Sequence, residues 1–332
     1  MKICIDIKAI QNSKTAAALL SVISNTLLVL LKFLVGLLIG SVSVISEAIH
    51  SAVDLLAAVI ALFAVKTSGR PADQDHHFGH GKVENISGVT EALLIFVAAG
   101  WIIYESVQKL THHEPLEQTG WGMVVMLFSA IINMLVSNWL FKVGKKTDSV
   151  ALQADAWHLR TDVYTSLGVL VGLGVIWAGG LIYPRVDLAW VDPLAALGVS
   201  LLIIKAAYDL TIQSARDLLD SSIPPEEQAL ILEHVTAFAP VVRSIHRLRT
   251  RKSGPYRFVD FHLAVDADIT VRQSHELVES IAQAIEEHHP GTEVSMHVDP
   301  CFGQCPQVCV EGCLLDEEAR RVVAALQVIA VS

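Results

Sequence analysis

The stretch Glu47-Ala-Ile-His50-Ser-Ala-Val-Asp54 decides the fold, together with its counterpart Ala154-Asp-Ala-Trp-His158-Leu-Arg-Thr-Asp162. Each stretch places a histidine four residues before an aspartate inside a long apolar segment. Residues four apart share one face of a helix, so each pair presents an imidazole beside a carboxylate. Ionisable groups at bilayer depth cost about 2.5–3.5 kcal/mol each, which indicates function. Two facing pairs would supply two nitrogen and two oxygen ligands, a set that suits a tetrahedral metal such as zinc.

The composition is that of a membrane protein. The chain of 332 residues is 52% hydrophobic and only 17% charged, whereas soluble domains carry about 25% charged residues. Its apolar runs are long enough to cross a hydrocarbon layer of about 30 Å. We predict six transmembrane helices, at residues 16–40, 42–65, 86–108, 120–141, 150–178 and 190–212. No small-residue cleavage site follows the first run, so we do not expect a signal peptide.

The lysines and arginines of the short loops predict the orientation of these spans, because such residues concentrate on the cytoplasmic side. Three groups lie on one side of the six spans: Lys2, Lys8 and Lys14; Lys66, Arg70 and Lys82; Lys142, Lys145 and Lys146. The other side has little beyond Lys109 and Arg185. We therefore expect both termini in the cytoplasm.

After about residue 220 the composition becomes acidic, with 16 Asp and Glu against 9 Lys and Arg. The segment Ser222-Ile-Pro-Pro-Glu-Glu is typical of a helix start. We predict a helix to about residue 237, strands at 242–250 and 256–265, a helix at 271–288 and a strand at 293–298. The chain is thus divided into a transmembrane domain (1–220), a cytosolic αββαβ domain of α+β class (221–300) and a tail that contains cysteines (301–332).

The tail carries cysteines at every fourth position: Cys301, Cys305, Cys309 and Cys313. Pro306, together with glycines at 303 and 312, argues against one continuous helix there. A disulfide framework is not expected, because the cytoplasm keeps thiols reduced. Two interpretations remain open: a soft-metal site of two or more thiolates, or a reduced tail that binds nothing.

The loop between the second and third spans is rich in histidine and aspartate, with Asp73, Asp75, His76, His77 and His80 within eight residues. Such a group is compatible with a surface metal site that uses Asp73, His76 and His80, and equally with an ordinary solvated loop. Glycines at 79 and 81 would let the backbone turn sharply between the histidines. In contrast, we expect Asp155, one turn before His158, nearer the cytoplasmic surface with no special role.

Several function classes are excluded by absent patterns. The sequence has no G-x-x-x-x-G-K-[ST] phosphate loop, which argues against ATP-driven transport within this chain. It has no H-E-x-x-H zinc-protease motif. Basic patches that would bind nucleic acid are missing from the acidic C-terminal domain. No enzymatic activity and no cofactor are expected.

At this point the motifs resemble a known family, the cation diffusion facilitators. The resemblance rests on the following segments: Gly40-Ser-Val-Ser, the two His-x-x-x-Asp pairs, Arg70-Pro-Ala-Asp, Phe78-Gly-His-Gly-Lys-x-Glu84 and Ala154-Asp-Ala-Trp. The ending is similar to the bacterial ferrous-iron and zinc efflux branch, through Arg249-Thr-Arg-x-Ser-Gly-Pro, Phe261-His-Leu and His297-Val-Asp-Pro-Cys301. The similarity covers roughly residues 10–301.

This resemblance implies a homodimer in the lipid of the bacterial inner membrane that exports divalent metal from the cytoplasm in exchange for protons. It implies a ferredoxin-like fold for the cytosolic domain. By position, it implies three sets of metal ligands: His50, Asp54, His158 and Asp162 for transport; Asp73, His76 and His80 in the loop; His246, His262, His275, His297 and Asp299 in a binuclear cytosolic site. Zinc would act there as a regulatory or structural ion.

One departure bears on the metal. The efflux branch commonly has aspartate at the position of His50, and imidazole favours zinc and cadmium over harder ions. The expected activity is therefore Zn²⁺/H⁺ antiport, with Cd²⁺ and Fe²⁺ as further substrates. A non-transporting sensor or scaffold subunit of the same fold is the alternative. A membrane metalloenzyme would need a general base beside the metal, and the sequence offers none near either pair.

Overall fold

The structure, a computed structural model, describes residues 7–39, 42–111, 120–182, 190–301 and 307–323. Six long helices make up the first two thirds of the chain: α1 (Ile7–Ile39), α2 (Val42–Ser68), α3 (Val83–Thr111), α4 (Gly120–Lys146), α5 (Val150–Ile182) and α6 (Val191–Leu218). The predicted six-helix class is confirmed, and most helices extend several residues beyond the predicted spans. The two chain termini, which are predicted to lie in the cytoplasm, are outside the described residues.

Five of the helices, α1 to α4 and α6, contain segments long and apolar enough to cross a membrane. The remaining helix, α5, has 33 residues and carries Asp155, His158 and Asp162. Contacts within the chain separate two compact units, one of them Lys8–Leu218 and the other including Leu219–Ser332. Helix α5 belongs to the first unit.

Helix α5 packs on two sides of the membrane unit. Its residues Ala151, Leu152, Ala156 and Leu159 join one core cluster with α1, α2 and α4. Ala154 joins a second cluster with α3 and α6. Small residues at these contacts allow close approach of the helices, which is how membrane helices associate when apolar burial gives no advantage over lipid. Burial of both sides explains how α5 can hold polar side chains away from lipid.

Glycine at position 88 of α3 lies where three helices approach closely. A Cβ atom at Gly88 would collide with Ser214 Oγ of α6 and would lie 3.0 Å from Val150 Cγ1 of α5. Helix α4 is joined to α5 by a hydrogen bond, 2.8 Å long, from Ser137 Oγ to Ala156 O.

A buried ion pair joins the ends of four helices. Lys14 Nζ of α1 lies 2.8 Å from Glu84 Oε1 of α3, and both side chains are almost fully buried. Ser68 at the end of α2 donates to the same oxygen at 2.6 Å. Ser149, which precedes α5, donates to Glu84 Oε2. Glu84 thus accepts hydrogen bonds from three other segments, which compensates the cost of burying its charge.

The second unit is an α+β domain with the element order predicted from the sequence. It contains α7 (Pro225–Thr236), β1 (Ser244–Ser253), β2 (Tyr256–Asp266), α8 (Val271–His288) and β3 (Thr292–Cys301). Strand β2 is central, antiparallel to β1 and parallel to β3. The turn between β1 and β2 contains Gly254 with φ of 58°, a conformation that favours glycine. Both helices cover one face of the sheet through a shared core that includes Ile231, Phe261 and Ile281.

The described part of the tail returns to the edge strand of this sheet. A short helix, α9 (Gln307–Glu311), is followed by an isolated bridge between Cys313 and Ser244 of β1. Leu314 N donates to Arg243 O at 2.8 Å. Because residues 312–316 are not helical, the tail is not one continuous helix, as expected. Cys305, Gly303 and Pro306 lie outside the described residues.

The buried ion pair leads to a prediction about stability. Lys14→Met leaves Glu84 buried without its cation, and losing one partner of such a pair costs about 3–5 kcal/mol. We expect a clearly lower unfolding temperature of the detergent-solubilised protein, measured by tryptophan fluorescence. Lys109→Met is the matched control, because the pair Lys109–Glu105 is about half exposed and such pairs contribute little. Equal unfolding temperatures for both variants would contradict the prediction.

Candidate metal centres

The two His-x-x-x-Asp pairs meet between α2 and α5 of the membrane unit. The ligand atoms of His50, Asp54 and Asp162 all lie within 4.8 Å of one another. His158 joins them through Asp54, because its Nε2 is 3.1 Å from Asp54 Oδ1. Asp54 and His158 are buried, Asp162 is partly buried, and His50 is accessible on the surface of the protomer. Helices α2 and α5 therefore bring the four predicted residues together.

The contact between His158 and Asp54 has a chemical consequence. An ionised carboxylate can only accept a hydrogen bond, so with Asp54 ionised the proton lies on His158 Nε2. A metal ion requires the lone pair of a ring nitrogen, which this proton covers. The other ring nitrogen, Nδ1, is buried and has no hydrogen-bond partner. At Nε2, therefore, a proton and a metal ion exclude each other.

A buried lysine lies one helix away from this group. Lys32 Nζ of α1 is 2.7 Å from Ser51 Oγ of α2, and both side chains are buried. Ser51 directly follows His50 in the chain. The hydrogen bond therefore holds α1 against α2 next to His50. It also places the Lys32 side chain in the same region of the bundle as the candidate ligands.

Two further carboxyl groups lie in the interior of the bundle. Asp155 is fully buried inside the bundle, because α5 is covered on both sides; its expected position nearer the cytoplasmic surface of the membrane stays a prediction. Glu91 of α3 is also fully buried, and it accepts a hydrogen bond from Ser87 Oγ at 3.0 Å. The sequence analysis missed Glu91. Glu91 has no histidine four residues away, so the pattern that identified Asp54 does not find it; its position as an ionisable residue inside the apolar run of α3 is the signal that could have.

The loop residues form a small exposed cluster. Asp73 Oδ1 lies 3.5 Å from His76 Nδ1, and Asp73 Oδ2 lies 3.4 Å from His80 Nε2. The two imidazole rings have centroids 4.4 Å apart. Gly79 has φ of 74°, which allows the turn that brings them together. Backbone hydrogen bonds from His76 and Asp75 lower the pKa of Asp73, so its carboxylate is ionised at neutral pH.

The cytosolic domain places three histidines in one row across its sheet. His246 of β1 is opposite His262 of β2, which is in turn opposite His297 of β3. Asp299 lies two residues further along β3, on the same face as His297. Its Oδ2 is 2.9 Å from His262 Nδ1 and 3.2 Å from His246 Nε2, and its Oδ1 is 3.2 Å from His297 Nε2.

The charges of these groups suit metal binding at neutral pH. Burial raises the pKa of Asp299, but the hydrogen bond from His262 and the nearby histidines outweigh it, so the pKa is lowered overall. Burial is also the largest influence on His246 and lowers its pKa. An ionised carboxylate and a neutral imidazole are the forms that coordinate a metal ion.

Two sets of predicted cytosolic metal ligands, His275 and the tail cysteines, lie outside this site. His275 lies exposed on α8 and is not in the group formed by His246, His262 and Asp299. Cys301 is buried, whereas Cys309 and Cys313 are partly buried and free. Among the described residues no group of three close metal ligands includes a cysteine. The thiolate interpretation therefore gains no support from the described part of the tail.

Both units of the chain match families of cation efflux proteins. Residues 18–219 match the family described as cation efflux transmembrane domain, and residues 223–301 match cation efflux protein, cytoplasmic domain. A cation-efflux pump FieF of Citrobacter koseri is 34% identical over 86% of this chain and 92% of its own length. An uncharacterized transporter of Synechocystis sp. is 36% identical over 79% of this chain and 82% of its own length.

The chain belongs to the cation diffusion facilitator family. It is a multi-pass membrane protein that exports divalent metal cations, as the resemblance implied. A solved C-terminal domain of the CzcD transporter from Thermotoga maritima is 28% identical over 24% of this chain and 94% of its own length, with a TM-score of 0.22. The cytoplasmic-domain match supports the expected homodimer and metal binding by that domain.

The geometry of the cytosolic site predicts that removing the carboxylate of Asp299 weakens zinc binding. Asp299 contacts all three histidines of the row, so Asp299→Asn should weaken zinc binding at this site at least about tenfold. Equilibrium dialysis of the full-length protein against buffered zinc measures the affinity and the number of bound ions. Asp260→Asn is the control, since Asp260 is an exposed carboxylate on the same strand as His262. Identical zinc binding by both variants would exclude Asp299 as a ligand.

Proposed function

We propose that this protein is a Zn²⁺/H⁺ antiporter of the bacterial inner membrane that moves zinc out of the cytoplasm. The observation that carries the proposal is the convergence of His50, Asp54, His158 and Asp162 within the membrane unit. Two imidazoles and two carboxylates match the ligand number and ligand type of a tetrahedral zinc site. The family membership supports export of a divalent cation.

The proposed coupling is competition between metal and protons for the same atoms. Zinc binds neutral His50 and His158 and ionised Asp54 and Asp162, so its arrival from the cytoplasm displaces protons. The hydrogen bond between His158 Nε2 and Asp54 is then replaced by two bonds to the metal. Protons that enter from outside restore the hydrogen bond and release the ion. Histidine suits this exchange because it titrates near neutral pH.

Alternating access would complete the cycle by opening the ligand group first to the cytoplasm and then to the outside. The clusters of lysine and arginine support a cytoplasmic location for both termini and for the loop with Asp73. In this arrangement Asp73, His76 and His80 lie on the side from which zinc enters. Their exposure and ionised carboxylate make them a site of weak, rapid binding at the entrance.

The cytosolic domain is proposed to bind zinc as a regulatory or structural ion in a homodimer. The row of His246, His262 and His297 with Asp299 supplies four ligand groups on one face of the sheet. Zinc there would also reduce the negative charge of an acidic domain, which favours association of two protomers. His275 is included in this site by resemblance alone.

Zinc transport is tested in liposomes that contain purified protein and a pH-sensitive dye. External zinc should drive proton movement, and His50→Ala or Asp162→Asn should reduce the rate at least about tenfold, because each loses a ligand. Asp209→Asn is the control, since Asp209 is an exposed carboxylate on α6. Full proton flux in either ligand variant would refute the assignment. Absence of flux in the parent protein would favour the scaffold alternative.

The choice of zinc depends on His50. We expect the parent protein to transport zinc and cadmium faster than ferrous iron or manganese, because imidazole favours the former pair. His50→Asp should shift the ratio of iron to zinc transport upward by about tenfold, since it replaces nitrogen by a harder oxygen ligand. Metal uptake by the same liposomes, measured for each ion separately, gives the ratio. An unchanged ratio in His50→Asp would show that another feature selects the metal.

A further inference from the structure

A second histidine cluster lies in the cytosolic domain, separate from the row on the sheet. His234 is in the last turn of α7, His288 is the last residue of α8, and His289 follows it. The ring centroids of His234 and His288 are 4.3 Å apart, and those of His234 and His289 are 6.0 Å apart. The ends of both helices therefore bring three imidazoles together.

The cluster is remote from the cytosolic ligands described above. It lies at the start of β3, where Thr292 N donates to His289 O and Arg257 N donates to Gly291 O. Asp299 is seven residues further along β3. At about 3.3 Å per residue, the two positions are separated by about 23 Å along the strand. One metal ion cannot be shared between them.

We propose that His234, His288 and His289 form an additional zinc site that ties α7 to α8. In a tetrahedral site with Zn–N distances of about 2.0–2.1 Å, neighbouring imidazole centroids lie about 5 Å apart. The observed separations of 4.3 and 6.0 Å are on either side of that value. The ligand nitrogens of the three rings do not all lie within 4.8 Å of one another, so zinc binding would require side-chain rotations that bring them together, above all of the exposed His288. A water molecule would complete the four-coordinate shell.

The hydrogen bonds of the cluster prepare one ring for coordination. His288 Nδ1 lies 2.8 Å from Ala284 O. A carbonyl oxygen only accepts, so Nδ1 carries the proton and Nε2 keeps its lone pair. A metal-binding histidine commonly has this arrangement, in which the second nitrogen donates to a backbone carbonyl.

The position of the cluster at two helix ends also favours a bound cation. His234 and His288 lie in the last turns of α7 and α8, where a helix carries partial negative charge. Glu227 and Arg257, paired at 2.6 Å, lie close to His289, and their opposite charges offset each other there.

The experiment counts zinc ions bound to the full-length protein in detergent. After equilibrium dialysis against buffered zinc, elemental analysis should find one ion fewer per protomer in His234→Ala and in His289→Ala than in the parent. Gln283→Ala, an exposed polar residue of α8, is the control and should keep the full number. An unchanged number in both histidine variants would overturn the proposal.

A second variant guards against misfolding. His234→Cys replaces imidazole by a thiolate, which is also a zinc and cobalt ligand. When this variant is loaded with Co²⁺, an intense thiolate-to-cobalt absorption in the near ultraviolet should appear, and His289→Ala in the same background should remove it. Absence of that absorption would overturn the proposal. Neither readout involves transport, so the result is independent of the antiport proposal.

Discussion

The membrane unit depends on one constraint, that ionisable groups inside an apolar bundle must satisfy one another. The hydrogen bond between His158 and Asp54 joins α5 to α2 through two buried side chains. To keep such groups from lipid, α5 must be covered on two sides, and alanines at its contacts with the neighbouring helices make this possible. The same constraint applies to Lys14 and Glu84, whose charges are buried only because three other segments contribute partners. Polar residues thus determine how the apolar helices are arranged.

The three ligand groups use the same chemistry in different surroundings. In each, aspartate oxygens lie 2.9–3.5 Å from histidine nitrogens. Asp54 is 4% exposed, whereas the side chains of Asp299 and Asp73 are 32% and 51% exposed. Water competes with a ligand most strongly at an exposed site, so the loop group should exchange metal fastest.

The sequence predicted the helices and strands whose ends are determined by neighbouring residues, but not the contacts between residues far apart in the chain. The bounds of α8 agree with the prediction because Thr270 and Gln273 form a capping box at its start. The register that aligns His246, His262 and His297 was accessible only by resemblance, since a shift between His246 and Arg249 interrupts the alternation of β1. The partners of Glu84 could not be predicted, because Lys14 is 70 residues away and only packing selects it. Glu91 was predictable in principle, and its burial in the described structure makes it the clearest omission.

Because the cytosolic domain is small, metal binding by its histidines would contribute to its folding stability. A domain of about 80 residues buries a modest fraction of its surface and is marginally stable alone. A metal ion bound only to the folded state adds its binding free energy to folding. Zinc at the row on the sheet would link all three strands, whereas zinc at His234, His288 and His289 would link the two helices that cover the sheet. Because the ions would stabilise different layers, both together would fix the whole domain. Domain stability would then rise with cytoplasmic zinc, in the same direction as the need for export.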